Sequence, residues 1–273
     1  MTQDSPAADW VPGRAPDGPT SGVTTLPLVE YLCRLGDDRL VLGHRLAQWC
    51  GHAPILEEDI ALSNFALDFV GQAAALLKLA GDVEGQGRDA DALAYFRDEN
   101  AFRNAQLVEL PRGDFAFTMV RQFLFDAYDV LLLDGLSRSA HETLAGIAAK
   151  ALKEAKYHLR HSAGWVERLG DGTEESHARS QRALDELWPF AAELFEVDAV
   201  EQSMVAEGMA PDVAALRRPW EDSVRSVLGT ATLAVPDAGR LITGGRRGRH
   251  TEHLGHMLAE MQILARSHPG AQW

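Results

Sequence analysis

Cysteine is nearly absent from this 273-residue chain, which carries only Cys33 and Cys50. With no Cys-x-x-Cys pair, a disulfide framework and a thiolate-ligated zinc site are excluded, and both residues read as buried free thiols in a reducing compartment. Positive charge is also scarce. The chain has 26 Lys and Arg against 40 Asp and Glu, a formal net charge of −14 and a pI near 5.1. General nucleic-acid binding needs a basic face to neutralise phosphates, so this balance argues against it. No apolar run approaches the ~18 residues of a membrane span. The first 22 residues lack the basic start and apolar middle of a signal peptide. Their "MTQDSPAADWVPGRAPDGPTSG" is rich in proline and glycine and reads as a disordered tail over residues 1–25. The expectation is a soluble, cytoplasmic protein. Strand alternation is almost absent too, which leaves helix.

What is present is helical periodicity. At 46% hydrophobic and 24% charged, the chain is long enough to bury a sizeable core. A first helix runs from about residue 26 to Cys50, with Pro27 in its first turn and an interruption near Gly36. Pro54 starts a second, to about Ala80, with Leu62, Phe65, Ala66, Phe69, Ala73, Leu76 and Ala80 at helical spacing. A short helix follows from about Ala90. A third long helix spans 114–137, a fourth His141–Leu169 and a fifth Glu174–Leu194, with Thr173 as N-cap. Shorter helices near 199–207 and 211–228, a basic Pro/Gly-rich stretch at 236–249 and a last helix at 251–267 complete the chain. The reading is all-α, with residues 26–273 forming one domain: a helical bundle with additional C-terminal helices.

A bundle of this kind can hold a carboxylate-bridged di-iron site, which needs one Glu from each of two helices and Glu-x-x-His from each of two others. The i, i+3 spacing turns both side chains toward one point. The chain contains a single such motif, Glu174 and His177, in the first turn of a helix, where a carboxylate complements the helix dipole. On the second helix Asp68 is followed at i+3 by Gly71, and on the fourth Glu154 is followed by Tyr157, with His158 one residue late. His158 nonetheless falls on the apolar face set by Leu144, Ala148, Ala151, Ala155 and Leu159, and Glu154 lies at its edge. Buried together they need partners; Lys150, Arg45 and Asp126 are the candidates. Asp68, Asp126, Glu154 and His158 therefore read as the structural remnant of a metal site, balanced by protein cations.

Several long segments together carry a resemblance: "YLCRLGDDRLVLGHRLAQWCGHAPILEEDIALSNFALDFVGQA", "FRDENAFRNAQLVELPRGDFAFT", "KALKEAKYHLRHSAGWVERLGDGTEES" and "GGRRGRHTEHLGHMLAEMQ". From about residue 28 to Trp273 the chain resembles the C subunits of phenylacetyl-CoA 1,2-epoxidases, bacterial multicomponent mono-oxygenases of phenylacetate breakdown. The resemblance implies a ferritin-like fold and no working metal centre in this chain. It implies that a related A subunit holds the di-iron centre, and that the C subunit pairs with it and helps form the acyl-CoA site. A reductase subunit would deliver electrons from NADPH through flavin and iron–sulfur centres. One oxygen atom would enter the aromatic ring as an epoxide and the other leave as water.

By the same resemblance, Ala101, Phe102, Arg103 and Asn104, and later Gln202, Ser203 and Met204, fall where a C subunit touches phenylacetyl-CoA. The chemistry of "RDENAFRN" suits this, since an arginine pairs with phosphate and an aromatic ring stacks on adenine; a solvated helix face with one buried Phe suits it as well. In "GGRRGRHTEHLGH" the glycines can expose backbone N–H groups to an anion beside Arg246, Arg247 and Arg249. That points to a phosphate or an acidic partner, or to a plain surface loop. Trp49, Trp165, Trp188 and Trp220 are candidates for interface anchors or core. Two other functions stay open: an iron-binding oxidase using Glu154, His158, Asp126 and Glu58, and a CoA-binding adaptor acting without an oxygenase.

Overall fold

The computed structural model describes residues 22–237, 239 and 241–271. The tail expected over 1–25 lies outside the described residues, except that 22–25 already belong to the first helix. Ten α-helices follow in order: α1 (Gly22–Ala47), α2 (Leu56–Glu84), α3 (Ala90–Tyr95), α4 (Gln106–Glu109), α5 (Phe115–Leu136), α6 (Glu142–Gly170), α7 (Glu174–Ala191), α8 (Ala199–Ala206), α9 (Val213–Thr230) and α10 (Glu252–Ser267). No strand occurs among the described residues. The all-α, ferritin-like reading is what the chain adopts.

The four long helices α1, α2, α5 and α6 form the bundle. α1 packs along α2, α5 along α6, and α2 meets α6. Each expected inward residue of α2, from Leu62 to Ala80, is buried. α1 runs unbroken through Gly36, because glycine there serves packing: a Cβ would stand 2.8 Å from the Leu77 side chain of α2. Pro27 sits in the second turn, since the helix begins earlier than its apolar pattern suggested. α2 closes on Gly85, whose φ of 69° provides the left-handed cap. Thr173 accepts from the Ser176 amide in a capping box. Asp89 and Asp114 cap α3 and α5 in the same way.

The later helices cover one side. α7 and α9 pack on α5, and α8 packs on α1. Trp220 Nε1 donates to the Leu124 carbonyl (3.0 Å), seating α9 on α5. Trp49 Nε1 donates to Thr118 Oγ1 (3.0 Å). Both tryptophans are buried in this chain's own core, whereas Trp165 and Trp188 are partly exposed. The two thiols differ from expectation: Cys33 is buried and Cys50 is exposed. Burial pushes the Cys33 thiol up to about 12, which keeps it protonated and inert.

Candidate functional site

All four bundle helices send polar side chains into the centre. From α1, Arg39 donates through Nη2 to Asp129 Oδ1 on α5 (2.5 Å) and through Nε to Gln72 Oε1 on α2 (3.0 Å). Gln72 Nε2 then donates to Glu154 Oε2 on α6 (2.8 Å). On α5, Asp126 accepts from Gln122 Nε2 (2.6 Å) and from Ser162 Oγ (2.7 Å). Burial raises the Asp126 carboxyl well above the usual carboxylate range. His158 lies 3.0 Å from Asp68 Oδ2 through Nε2, and its ring packs on Phe65 and Phe69. Burial lowers the His158 pKa even against the pull of Asp68. The imidazole is therefore neutral, with Nε2–H donating to Asp68 and Nδ1 unpartnered.

Of the four residues read as a metal-site remnant, Asp68 and His158 touch. Glu154 hangs on Gln72 instead, and Asp126 is tied to Ser162. The expected cationic partners are corrected. Arg45 donates to the carbonyls of Glu109 (2.7 Å) and His253 (2.8 Å), away from this cluster. Lys150 is exposed beside Glu154. The cation that stands among these carboxylates is Arg39, fully buried and bonded to Asp129, which sequence reasoning missed. It stands in "GDDR" beside Asp37 and Asp38, in a helix that also carries Glu30, Arg34 and Arg45, so spacing did not single it out.

A di-iron centre does not fit these residues. Arg39 places a permanent positive charge among the carboxylates that would have to hold two cations. Gly71 has no side chain where α2 needs a histidine. Tyr157, at the equivalent place on α6, is 49% exposed. Among the described residues no group of three His, Cys, Asp or Glu side chains is arranged to hold a metal ion. Glu58, the further ligand of the iron-oxidase reading, faces His161 Nε2 at 2.9 Å instead.

The two segments expected to meet substrate flank α1 on one side of the molecule. Arg103 Nε donates to Glu30 Oε1 (2.8 Å), and Arg34 one turn further reaches Asp198 (2.7 Å) and Glu201 (3.4 Å) of α8. Phe102 and Asn104 are completely buried, with the Arg97 guanidinium over the Phe102 ring. Ala101 and Arg103 are partly exposed, Gln202 is exposed, Ser203 is partly exposed and Met204 is buried.

The glycine-rich basic stretch binds an anion, and that anion is the chain's own. Glu193 Oε1 accepts from the Gly244 and Gly245 amides (2.7 and 2.6 Å), while Oε2 accepts from Gln106 N (2.7 Å). Arg246 is buried against both oxygens of Asp38 (3.0 and 2.8 Å), so it is not free for a phosphate. Arg247 and Arg249 remain exposed. A Cβ at Gly245 would fall 2.1 Å from the Asn104 carbonyl, so only glycine lets this strap lie on the 101–104 segment. His250 fastens the other end, with Nδ1 on Glu109 Oε2 (2.7 Å) and Nε2 on the Phe102 carbonyl (3.1 Å). Burial alone would lower the His250 pKa, but the Glu109 carboxylate and the Phe102 carbonyl raise it. With an acceptor at each nitrogen, His250 is held as the imidazolium. Neither His253 nor His256 joins it in a metal cluster among the described residues.

A model of the family described as phenylacetic acid catabolic protein matches residues 16–273. The C subunit of the 1,2-phenylacetyl-CoA epoxidase from Escherichia coli (strain K12) is 51% identical over 246 residues, covering 90% of this chain and 99% of that protein.

Proposed function

Because the chain belongs to the phenylacetic acid catabolic protein family, we propose that it is the non-catalytic structural subunit of a phenylacetyl-CoA 1,2-epoxidase. In this reading it works in the cytoplasm, pairs with a di-iron catalytic subunit and builds one side of the acyl-CoA site. NADPH, flavin and iron–sulfur chemistry belong to a separate reductase subunit. The observation that carries the reading is the Arg39–Asp129 ion pair at the bundle centre, where an iron-binding bundle keeps its carboxylates for metal. Substrate contact falls to the exposed members of the two segments. Arg103 and Gln202 offer a cation and an amide to a CoA thioester, while Phe102, Asn104 and Met204 support them from beneath.

Reconstitution of epoxide formation from the catalytic subunit, the reductase and NADPH tests this reading. Omitting the chain is expected to abolish turnover, and supplying it as Glu154→Ala is expected to restore turnover to the wild-type level. Loss of turnover with a folded Glu154→Ala chain, at unchanged affinity for the catalytic subunit, contradicts the reading in favour of an iron oxidase. Turnover that does not depend on the chain at all, with tight CoA binding by the chain alone, favours the adaptor.

A further inference from the structure

Helix α2 is apolar around most of its circumference yet meets the core on one side only. Against the expectation that nothing in the sequence approaches a membrane span, its length and composition suffice for one, but 44% of that stretch is buried. Opposite the core-facing residues, Leu56, Ile60, Leu67 and Ala74 succeed one another at steps of four, seven and seven. At 3.6 residues per turn this forms one stripe, about 27 Å long at 1.5 Å per residue. Leu56, Ile60 and Leu67 are 71%, 54% and 70% exposed. Beside the stripe, Gly71, Ala75 and Gly146 leave a cleft of about 340 Å³ between α2 and α6. Small residues there let a foreign helix approach the backbone closely.

The neighbouring edge of α6 is basic. Lys150, Lys153 and Arg160 are exposed, and Arg160 lies over the Tyr157 ring at 5.3 Å. None of the three cations is in an ion pair among the described residues. In a chain of net charge −14, this ridge sets three cations alongside an uncovered apolar stripe, while the two carboxylates of the cleft between them, Asp68 and Glu154, are held by His158 and Gln72.

We infer that the exposed face of α2, with the α6 ridge as its edge, is where the catalytic subunit docks. The occupant is a second helical-bundle chain presenting an apolar helix edged with carboxylates. The inference rests on the proposed function and adds to it the surface and its charge. A second copy of this chain fits less well. An antiparallel two-fold contact along α2 would set Lys150, Lys153 and Arg160 near their own images. A bilayer fits less well too, because inserting α2 would strip Phe65 and Phe69 from the core.

The test measures binding of the full-length chain to the purified catalytic subunit by titration calorimetry, with circular dichroism confirming the fold of each variant. Leu67→Glu is expected to weaken binding about a hundredfold, as for an anchor at the centre of an interface. Lys153→Glu/Arg160→Glu is expected to weaken binding and flatten its salt dependence. Leu264→Glu, at a 53%-exposed position on α10, is expected to leave it unchanged. If the wild-type chain does not bind the catalytic subunit, the proposed function fails. If it binds and Leu67→Glu binds equally well, only the docking surface is wrong. Leu67-dependent self-association of the chain alone, or Leu67-dependent flotation with phosphatidylserine vesicles, overturns the assignment in favour of a second copy or a membrane.

Discussion

The bundle centre and the C-terminal strap are both buried, charged and assembled from distant parts of the chain, yet they are finished to different degrees. In the strap network every carboxylate has both oxygens bonded. Asp37 takes Arg97 and the Arg103 amide, and Asp38 takes Arg246 and the Ala105 amide. Glu109 takes Asn104, His250 and the Thr251 amide, and Glu193 takes four backbone amides. In the bundle centre Asp129 Oδ2 has no partner, nor have Gln122 Oε1 and His158 Nδ1; in the strap the open atoms are the uncharged Asn104 Oδ1 and Thr251 Oγ1. A buried polar group left unpaired costs about 1–3 kcal/mol, more for a charged one, so the open carboxylate oxygen is what sets the centre apart from the strap. The centre's open carboxylate oxygen is what the reading as a metal-site remnant would leave; the proposed function rests on the Arg39–Asp129 pair beside it.

The largest test of this contrast is Arg246→Met. It removes one partner of a fully bonded buried pair and leaves Asp38 charged, so urea unfolding should show a loss of about 3–5 kcal/mol. A loss below about 1 kcal/mol would place the strap on the same loose footing as the centre.

His250→Gln comes next, at about 1.5–3 kcal/mol for hydrogen bonds to a charged group, and its size should depend on pH. The folded pKa of His250 is raised. Its contribution is therefore fully present below the unfolded value near 6.5 and is lost as pH rises through the folded value. The gap in thermal midpoint between wild type and variant should be wider at pH 6 than at pH 9. An equal gap at both would mean that His250 is not held as the imidazolium.

Asp126→Asn should act in the opposite direction. Burial raises the Asp126 pKa, so the folded state holds a proton that the unfolded chain releases, and wild-type stability falls as pH rises from the unfolded value to the folded one. The amide removes that cost. The variant should match wild type near pH 3 and melt higher at pH 8; a lower melting point at pH 8 would show that the ionised carboxylate is stabilising. Glu154→Gln, which can keep the bond to Gln72, should be the mildest, within about 0.5 kcal/mol of wild type by urea titration.

Most of the fold was legible because core-facing residues repeat with the period of a helix, as Leu62 to Ala80 did on α2. Helix ends were less so: α1 begins at Gly22 and runs through Gly36, because packing against Leu77 outweighs the low helix propensity of glycine. In the centre, the lack of a histidine three residues after Asp68 and Glu154, where Gly71 and Tyr157 stand, could be read directly from spacing. Arg39 could not, since a charged residue in a helix ordinarily faces water, and only the convergence of Gln72 and Asp129 from two other helices explains its burial. The anion-binding glycines at 244–245 were recognised by their chemistry, but the anion was not. Glu193 lies some fifty residues earlier in the chain, and no local pattern links the two.

The most direct measurement is the iron content of the chain, purified alone and then incubated anaerobically with ferrous iron, with helical circular dichroism confirming the fold. With Arg39 buried against Asp129, the expected result is less than about a tenth of an equivalent, against the two irons of a complete carboxylate-bridged site. Close to two irons per chain, lost on Glu154→Ala, would make this chain an iron protein in its own right and contradict the account.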